Sequence, residues 1–438
     1  MKIVALYKTF SGKEWVEASV ESIYDYVDKI VMVHSKVSWT GKDGNTVEPV
    51  VEAMPDPDNK IINLSTRAID QTAQYQVGID YIDANLEYDI VQLIDTDEVW
   101  DAHELEKAIK FMEQHPERSA YMVGMYIYIK TPFYRIVPAE GRPTCFIREA
   151  KLAVMGARGV GVPDKCMIYG VRMHHFTAVR KRISDISEKI MSSFVGDSMD
   201  GGIPEPDVDT WLKEKWNLLP NVEDFHYFPH IANIWHTIEK IWIDDVPEAI
   251  KNKPIMDTFL PDGFCRPDEE RALYDIAKGL YHCIELGTYH GRMSVILSLA
   301  AREVFTVDLF EKLLEEPNQQ DAVEWKNGLT VFDVGRKLGW YNNIGVFQSR
   351  TAECAGRTQL TDLLFIDASH AYKSVKADFE AWYPFVIQGG LIVFHDYDDN
   401  SKHCDIKKFV NEMDKEYPLM IRLPEKEVGS LAIFAKCD

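Results

Sequence analysis

Between His282 and His395 five short apolar runs alternate with stretches long enough for a helix: His282–Leu286, Val304–Leu309, Ile344–Gln348, Leu363–Asp367 and Leu391–His395. Neighbouring parallel strands cannot be joined by a tight turn, so this alternation predicts a parallel sheet with crossover helices. The pattern then changes. Leu419–Leu423, a turn through Lys426–Gly429 and Leu431–Ala435 follow with no helix-length segment between them. The expected ending is an antiparallel hairpin added to the parallel sheet, which is unusual for a nucleotide-binding α/β fold.

A second alternation occupies the first half of the chain. Strands are expected at Ile3–Tyr7, Ile30–His34, Ile61–Leu64 and Ile90–Ile94, with helices at Trp15–Val27, Asp70–Asn85 and His103–His115. Tyr121–Lys130 is aromatic and strand-like. The segment Arg180–Ile250 has a different character, rich in Trp, Lys and Glu and broken by Gly201-Gly202-Ile203-Pro204-Glu205-Pro206. It is read as helices closing the first domain. Its Trp211, Trp216, Trp235 and Trp242 are expected in the core, because aromatic stripes at helical spacing usually face inward. The polar-aromatic run Asp224–His230 is a candidate acceptor wall. The Pro/Asp-rich stretch from Lys253-Pro254 to Pro261-Asp262-Gly263 marks a boundary. Two α/β domains result, 1–255 (with the helical segment 180–250 at its end) and 256–438.

The 438 residues carry a formal charge of −22. An acidic surface repels phosphate backbones and anionic lipid, so nucleic acid and bare membrane are poor partners. The seven cysteines are scattered, odd in number and form no CxxC pair, which predicts reduced thiols. MKIVALYKTF lacks the long apolar stretch of a signal peptide, and no run reaches the ~18 apolar residues of a spanning helix. A cytoplasmic enzyme with no transmembrane segment is expected. The sequence leaves the oligomeric state open.

The first run of the second domain ends in Glu285-Leu286-Gly287-Thr288-Tyr289-His290-Gly291-Arg292, and the next ends at Asp308. A glycine-rich turn between strand and helix lets backbone approach a ligand closely, and an acid one strand further on can accept ribose hydroxyls. Dinucleotide-binding folds share that layout. Two further strand tips separate the readings: Asp367-Ala368-Ser369-His370-Ala371-Tyr372, and Gly389-Gly390-Leu391-Ile392-Val393-Phe394-His395-Asp396. Over about Pro267–Lys436 these motifs resemble class I S-adenosylmethionine-dependent O-methyltransferases, nearest to the sugar O-methyltransferases. The resemblance implies a Rossmann-like sheet with a terminal antiparallel hairpin. It implies S-adenosylmethionine held by Glu285, Gly287, Thr288, Gly291 and Asp308, with Ser349 and Glu353 near the adenine. An acceptor hydroxyl must lose a proton, and His370 is the expected base because imidazole titrates near neutrality; Asp367 stands beside it. Related enzymes often bind Mg²⁺ between acids at these tips. Asp367 and Asp396 match such positions, but His395 stands where a second carboxylate can occur.

In the first domain the apolar run Ile90–Ile94 leads into Asp95-Thr96-Asp97-Glu98. Two carboxylates flanking one residue at a strand end can grip a divalent cation, which neutralises a leaving diphosphate. The polar helix from Asp70 precedes them, and His174-His175 follow before Arg180-Lys181-Arg182. Over roughly Met1–Trp242 this resembles the GT-A glycosyltransferases, nearest to the family-2-like inverting enzymes. The resemblance implies a nucleotide-sugar-binding fold with Mn²⁺ or Mg²⁺ on Asp95, Asp97 and a later histidine, His175 preferred over His174. Lys8 and Asp70 are nucleotide contacts by position. An inverting reaction needs a carboxylate base, for which Asp164 is the candidate, with Glu149 behind it.

The combined expectation is a bifunctional enzyme of glycan assembly. It would transfer a sugar from a nucleotide-sugar donor to a glycan or glycolipid acceptor, then O-methylate a sugar hydroxyl. Two alternatives stay open: a non-catalytic carbohydrate-binding first domain, or a methyltransferase acting on a small natural product.

Overall fold

The strand Ile3–Thr9 (β1) sits in the middle of a ten-stranded sheet, and its neighbours are set by the order in which the chain returns to it. In the computed structural model β1 pairs in parallel with Lys29–Ser35 (β2) on one side and Ile90–Asp95 (β4) on the other. Ile61–Thr66 (β3) extends the parallel part beyond β2. The chain therefore builds outward from β1 to β3, then returns to the opposite side of β1, which opens a crevice between the carboxyl ends of β1 and β4. The structure describes residues 1–38, 41–68, 70–138, 141–149, 154–155, 158–197, 207–222, 225, 236–310, 330–397, 404–417, 420–422 and 429–437. These form two compact units, Met1–Met256 and Asp257–Asp438.

In the first unit the crossovers are Val16–Ile23 (α1), Glu48–Ala53 (α2) and Gln71–Asn85 (α3). α3 packs Tyr75, Ile79 and Ile82 onto Val4, Leu6, Val31, Val33, Val91 and Leu93, an apolar layer buried on both sides as parallel strands require. After β4 come Glu98–Val99 (β5), Ala102–Gln114 (α4), Ala120–Ile129 (β6), Thr131–Val137 (β7) and Thr144–Ile147 (β8). Two short strands, Val154–Met155 (β9) and Gly159–Val160 (β10), pair with each other. Cys166–Ala178 (β11) runs parallel to β6 and antiparallel to β5. The sheet order is β12-β7-β6-β8-β4-β1-β2-β3, where β12 is Thr237–Lys240.

The segment 180–250 was expected to be helical throughout. Ile183–Asp197 (α5) and Val208–Glu214 (α6) are helices, and Glu248–Lys251 (α7) is one turn. Between them β12 instead joins the sheet edge antiparallel to β7. Its alternating exposure is the pattern of an edge strand, too short to register against the helical spacing of the tryptophans. Trp211, Trp216 and Trp242 are buried, as core residues. Trp235, Gly201–Pro206 and all of Asp224–His230 except Phe225 lie outside the described residues. Phe225 is buried against Trp211.

The second unit begins with Pro267–Ala277 (α8) and the fully buried strand His282–Leu286 (β13). Arg292–Ala300 (α9), Glu303–Asp308 (β14), Val331–Leu338 (α10), Ile344–Gln348 (β15), Thr361–Ile366 (β16), Tyr372–Trp382 (α11), Val386–Phe394 (β17) and Cys404–Glu416 (α12) follow. Met420–Arg422 (β18) and Ala432–Lys436 (β19) end the chain. The order is β15-β14-β13-β16-β17-β19-β18. The first five strands in sequence are mutually parallel, and β19 runs antiparallel to both β17 and β18. The α/β fold with a Rossmann-like parallel sheet and its closing antiparallel hairpin is thus present. Here too the chain reverses direction at one place, between β13 and β16.

Candidate functional site

In open α/β sheets ligands bind beyond the carboxyl ends of the strands, where the strand order reverses. In the second unit that point lies between the turn after β13 and the turn after β16. Gly287 has φ +98°, and a Cβ there would lie 2.1 Å from the backbone oxygen of Asp367. Only glycine lets the two turns meet this closely. Gly291, with φ +91°, forms the left-handed entry to α9.

The acids near this turn are built into it. Glu285 is buried and accepts hydrogen bonds from the hydroxyls of Ser294 and Thr306. Burial pushes its carboxyl up to about 8. Asp308 Oδ2 accepts the backbone N–H of Thr288 and of Tyr289, both at 2.9 Å, and Oδ1 accepts that of Phe310 at 3.1 Å. Burial raises its pKa. Asp308 therefore shapes the glycine-rich turn, a role that its expected contact to ribose did not include. The Ser349 N–H donates to the Asp308 carbonyl at 3.0 Å, which puts Ser349 beside that turn. Glu353 is exposed on a single turn of 3₁₀ helix and faces Arg350 at 3.8 Å.

At the tips of β16 and β17 two histidines interleave with three acids. His370 Nε2 lies 2.9 Å from Asp396 Oδ2. His395 Nδ1 lies 3.0 Å from Asp367 Oδ1 and 3.3 Å from Asp396 Oδ2. Its Nε2 lies 3.3 Å from Glu269 Oε2 and 3.5 Å from Cys265 Sγ. Burial works against the His395 charge, yet Asp367 and Asp396 hold its pKa well above the ordinary imidazole range. Burial likewise opposes the charge on Asp396, and the two imidazoles hold it well below the usual carboxylate range. Glu269 and Cys265 were not anticipated. The sequence shows Glu269 only as one of the acids opening α8, a capping signal.

Asp367, His370 and Asp396 offer donor atoms within 4.8 Å of one another. A hard cation prefers several oxygen ligands; the set supplies carboxylate oxygens from Asp367 and Asp396 and one imidazole nitrogen, and Asp396 Oδ2 also lies beside both imidazoles.

In the first unit the reversal lies between β1 and β4, and the acidic run falls there. Asp95 pairs with Lys8 and, at 3.5 Å, with Arg158. Burial opposes its charge, but those two cations lower its pKa to about 2. Asp97 is buried; it accepts from Arg180 at 2.7 Å and lies 3.3 Å from His175 Nε2 and 3.8 Å from Lys189. Against the effect of burial, Lys189, His175 and Arg180 hold its carboxyl well below the usual range. Glu98 is fully buried and accepts from both terminal guanidinium nitrogens of Arg158. Asp95, Asp97 and His175 present donor atoms within 4.8 Å of one another. Successive residues of a strand face opposite sides, so His174 faces away from this cluster. Its ring joins Tyr128 and Asp101, each at 2.8 Å, beside a cavity of about 660 Å³. Among the cations, Arg180 stood in a basic run of the sequence, whereas Arg158 and Lys189 carried no signal.

Asp70 caps α3, its carboxylate accepting the Ala73 N–H at 2.8 Å, at the carboxyl end of β1, where Gln74 of the same helix reaches the Thr9 carbonyl at 3.0 Å. Two expected residues lie elsewhere. Asp164 accepts from the N–H and hydroxyl of Ser119 at 2.9 and 2.7 Å, just before β11 begins. His175 pairs with Ile127 of β6, eight residues along the chain from Ser119, and at about 3.3 Å per residue that is roughly 26 Å away. Glu149 follows β8, whose Ile147 pairs with Val91 at the start of β4. It too lies at the opposite edge of the sheet from Asp95. Neither acid can act as a base at the cluster.

Residues 284–397 match the model of a family described as a methyltransferase domain. An uncharacterized protein of Acanthamoeba polyphaga mimivirus is 42% identical over 52 residues, which cover 12% of this chain and 24% of that protein. The match thus spans about a quarter of that relative's length. Among solved structures, an O-methyltransferase of Bacillus cereus in complex with SAH is similar at 16% identity, covering 41% of this chain and 84% of its own, with a TM-score of 0.28. An rRNA methylase of Streptococcus thermophilus is similar at 11% identity, covering 40% and 100%, with a TM-score of 0.29. Likenesses of this size say nothing of the methyl acceptor. Among the described residues no helix is long and apolar enough to cross a membrane. With the family match spanning the glycine-rich turn and the tips of β16 and β17, the C-terminal unit carries a methyltransferase domain.

Proposed function

We propose that the C-terminal unit is an S-adenosylmethionine-dependent O-methyltransferase whose base is His370. One observation carries the reading: His370 is paired with Asp396 at the sheet's reversal point, next to the turn where Gly287 meets Asp367. S-adenosylmethionine supplies an electrophilic methyl group on sulfur. The acceptor oxygen forms the new C–O bond as the methyl–sulfur bond breaks, and S-adenosylhomocysteine leaves. The hydroxyl proton passes to His370, and Asp396 stabilises the imidazolium that forms. Binding of the cofactor at 100 times its Kd should add about 2.7 kcal/mol of stability. A thermal-shift titration with S-adenosylmethionine that moves nothing would overturn the reading.

The N-terminal unit supports a second reading, transfer of a sugar from a nucleotide donor on a GT-A-like fold. The observation favouring it is the convergence of Asp95, Asp97 and His175 at the β1/β4 reversal, with Lys8, Arg180 and Lys189 close by. The three donors fit Mn²⁺ or Mg²⁺, which would neutralise charge on a leaving diphosphate. Lys8, Arg180 and Lys189 are cations that an anionic diphosphate would meet in the same crevice. On this reading both units act on one glycan or glycolipid acceptor, sugar transfer first and methylation second. A screen of UDP-, GDP- and dTDP-sugars with Mn²⁺, followed by donor hydrolysis, separates catalysis from mere carbohydrate binding.

A further inference from the structure

Three side chains from distant parts of the sequence meet beside the tips of β16 and β17. Cys265 immediately precedes Arg266, the N-cap of α8, while Asp367 follows β16 and His395 follows β17. Sγ of Cys265 lies 3.5 Å from His395 Nε2, across 130 residues of chain. One donor atom from each of Cys265, Asp367 and His395 falls within 4.8 Å of the other two. The carboxylate and the imidazole are held from behind. The backbone N–H of Asp367 donates to the Leu286 carbonyl at 2.8 Å, and that of His395 to the Ile366 carbonyl at 3.1 Å.

Sulfur and imidazole nitrogen are the ligands that zinc and its neighbours in the first transition row prefer, with a carboxylate oxygen as a common addition. Magnesium and calcium take oxygen instead. The spacing agrees with the ligand type. In a tetrahedral zinc site, with bonds of about 2.3 Å to sulfur and about 2.0 Å to nitrogen, those two donor atoms lie about 3.5 Å apart. The Cys265–His395 separation already has that length. The charge agrees as well. His395 Nδ1 lies 3.0 Å from Asp367 and 3.3 Å from Asp396, and Glu269 Oε2 lies 3.3 Å from Nε2. A divalent cation on Nε2 would meet this negative charge in place of a proton, while the carboxylates at Nδ1 hold the ring in orientation. Glu269 is committed elsewhere, accepting the Arg266 N–H and both the N–H and hydroxyl of Ser430. It balances charge rather than completing the set.

We infer that Cys265, Asp367 and His395 form a binding site for a thiophilic divalent cation of the zinc class. It differs from the set of Asp367, His370 and Asp396 in taking a sulfur ligand and in leaving His370 paired with Asp396. The two sets share Asp367, so they compete for one carboxylate. Coordination turns the thiol into a thiolate, its proton passing to solvent. Three protein ligands leave a fourth position for water or a small oxygen ligand. The inference needs no assumption about methyl transfer.

Cobalt is the probe, because Co²⁺ occupies zinc sites and its near-ultraviolet charge-transfer band requires a thiolate ligand. The full chain, stripped with a chelator and kept reduced, should gain that band on titration with Co²⁺ and saturate at one ion per chain. Zn²⁺ should abolish the band, and excess Mg²⁺ should leave it. The set of Asp95, Asp97 and His175 contains no sulfur and contributes nothing to it. Cys265→Ser should lose the band. Its Zn²⁺ affinity, measured against a chromophoric chelator, should fall by at least the roughly 10–100-fold that loss of a mere supporting group costs. His395→Gln should weaken Co²⁺ binding to the same degree. Unfolding curves establish that each variant folds, and if His395→Gln does not, the near-isosteric Cys265→Ser still decides the matter. Absence of the band in the wild type would overturn the inference. So would a band that survives in Cys265→Ser, or unchanged Co²⁺ affinity in folded His395→Gln.

Discussion

The two units place acids at the same point of similar sheets but neutralise them with different partners. In the N-terminal unit Asp95, Asp97 and Glu98 are matched chiefly by Lys8, Arg158, Arg180 and Lys189, with His175 beside Asp97. In the C-terminal unit Asp367 and Asp396 are matched by His370 and His395, and Glu269 by His395 and Arg266. Guanidinium groups stay charged through the physiological range, so Arg158 and Arg180 give the first cluster lasting positive charge suited to holding an anion, while burial lowers the pKa of Lys189. An ordinary imidazole gains and loses a proton near neutrality, so a base such as His370 suits the second to moving one, while His395 is held in its charged form by Asp367 and Asp396. One architecture thus carries a crevice suited to anion binding and a crevice suited to deprotonating a hydroxyl.

The largest expected effect breaks the comparison on the proton-transfer side. His370→Ala should lower methyl transfer by about 10²–10⁴-fold while S-adenosylmethionine still binds. A loss below about threefold would make the histidine structural and remove the contrast. Next comes the buried acid of the other cluster. Asp97→Ala strips Arg180, Lys189 and His175 of their shared carboxylate. Leaving buried charge uncompensated costs about 3–5 kcal/mol, to be read from urea unfolding of the full chain. A cost under about 1 kcal/mol would mean that the cations relax into water and hold no fixed charge.

A third test sharpens the contrast through pH. Glu285 has a folded pKa of about 8, raised by burial from an ordinary value of 4.5. The folded state therefore holds a proton that the unfolded state has lost between pH 4.5 and 8. Stability contributed by that proton is fully present below pH 4.5 and is lost as pH rises toward 8, on the order of 1.4 kcal/mol per pH unit at the steepest. Glu285→Gln removes the titration and should flatten this part of the profile. An unchanged slope would show that Glu285 ionises normally. Asp97 behaves oppositely. Its depressed pKa gives stability present above the unfolded carboxyl value and lost as acid protonates it.

How far the sequence spoke depends on whether a signal was periodic or tertiary. The five parallel strands of the C-terminal unit and the four of the N-terminal unit were legible because central strands such as β1, β4 and β13, buried on both faces, read as apolar runs, and the shorter β3 and β15 continued the alternation. β7, β8 and β12 were not, since short antiparallel strands in mixed sequence resemble loops. At the tips of β16 and β17 the placement of His370 and Asp396 was legible because each follows closely on the end of an apolar strand. Glu269 was not, because its partner His395 lies 126 residues away. Arg158 meets Glu98 across 60 residues, from a segment with no repeat or motif. Asp164 was misread for the complementary reason. An acid in a Gly-Val-Pro-Asp turn looks the same at either end of a strand, and only the register of β11 decides which.

The smallest expected effect concerns Asp70, and it separates a cap from a ligand. The carboxylate accepts the Ala73 N–H at 2.8 Å, and its backbone is extended, φ −142° and ψ 163°, as an N-cap requires. Losing such a cap costs about 0.5–2 kcal/mol. Asp70→Ala should therefore lower stability by about that amount, and Asp70→Ser or Asp70→Asn should restore most of it, since both cap well. Nucleotide-sugar affinity measured well below the unfolding midpoint should stay within about twofold of wild type, a difference under about 0.5 kcal/mol. A nucleotide ligand would give the reverse signature, with affinity falling in all three variants whatever their stability. Parallel unfolding and binding titrations on the same three proteins tell the two apart. If serine and asparagine rescue stability but not binding, Asp70 belongs to the anion crevice after all, and that crevice extends along β1 to the start of α3.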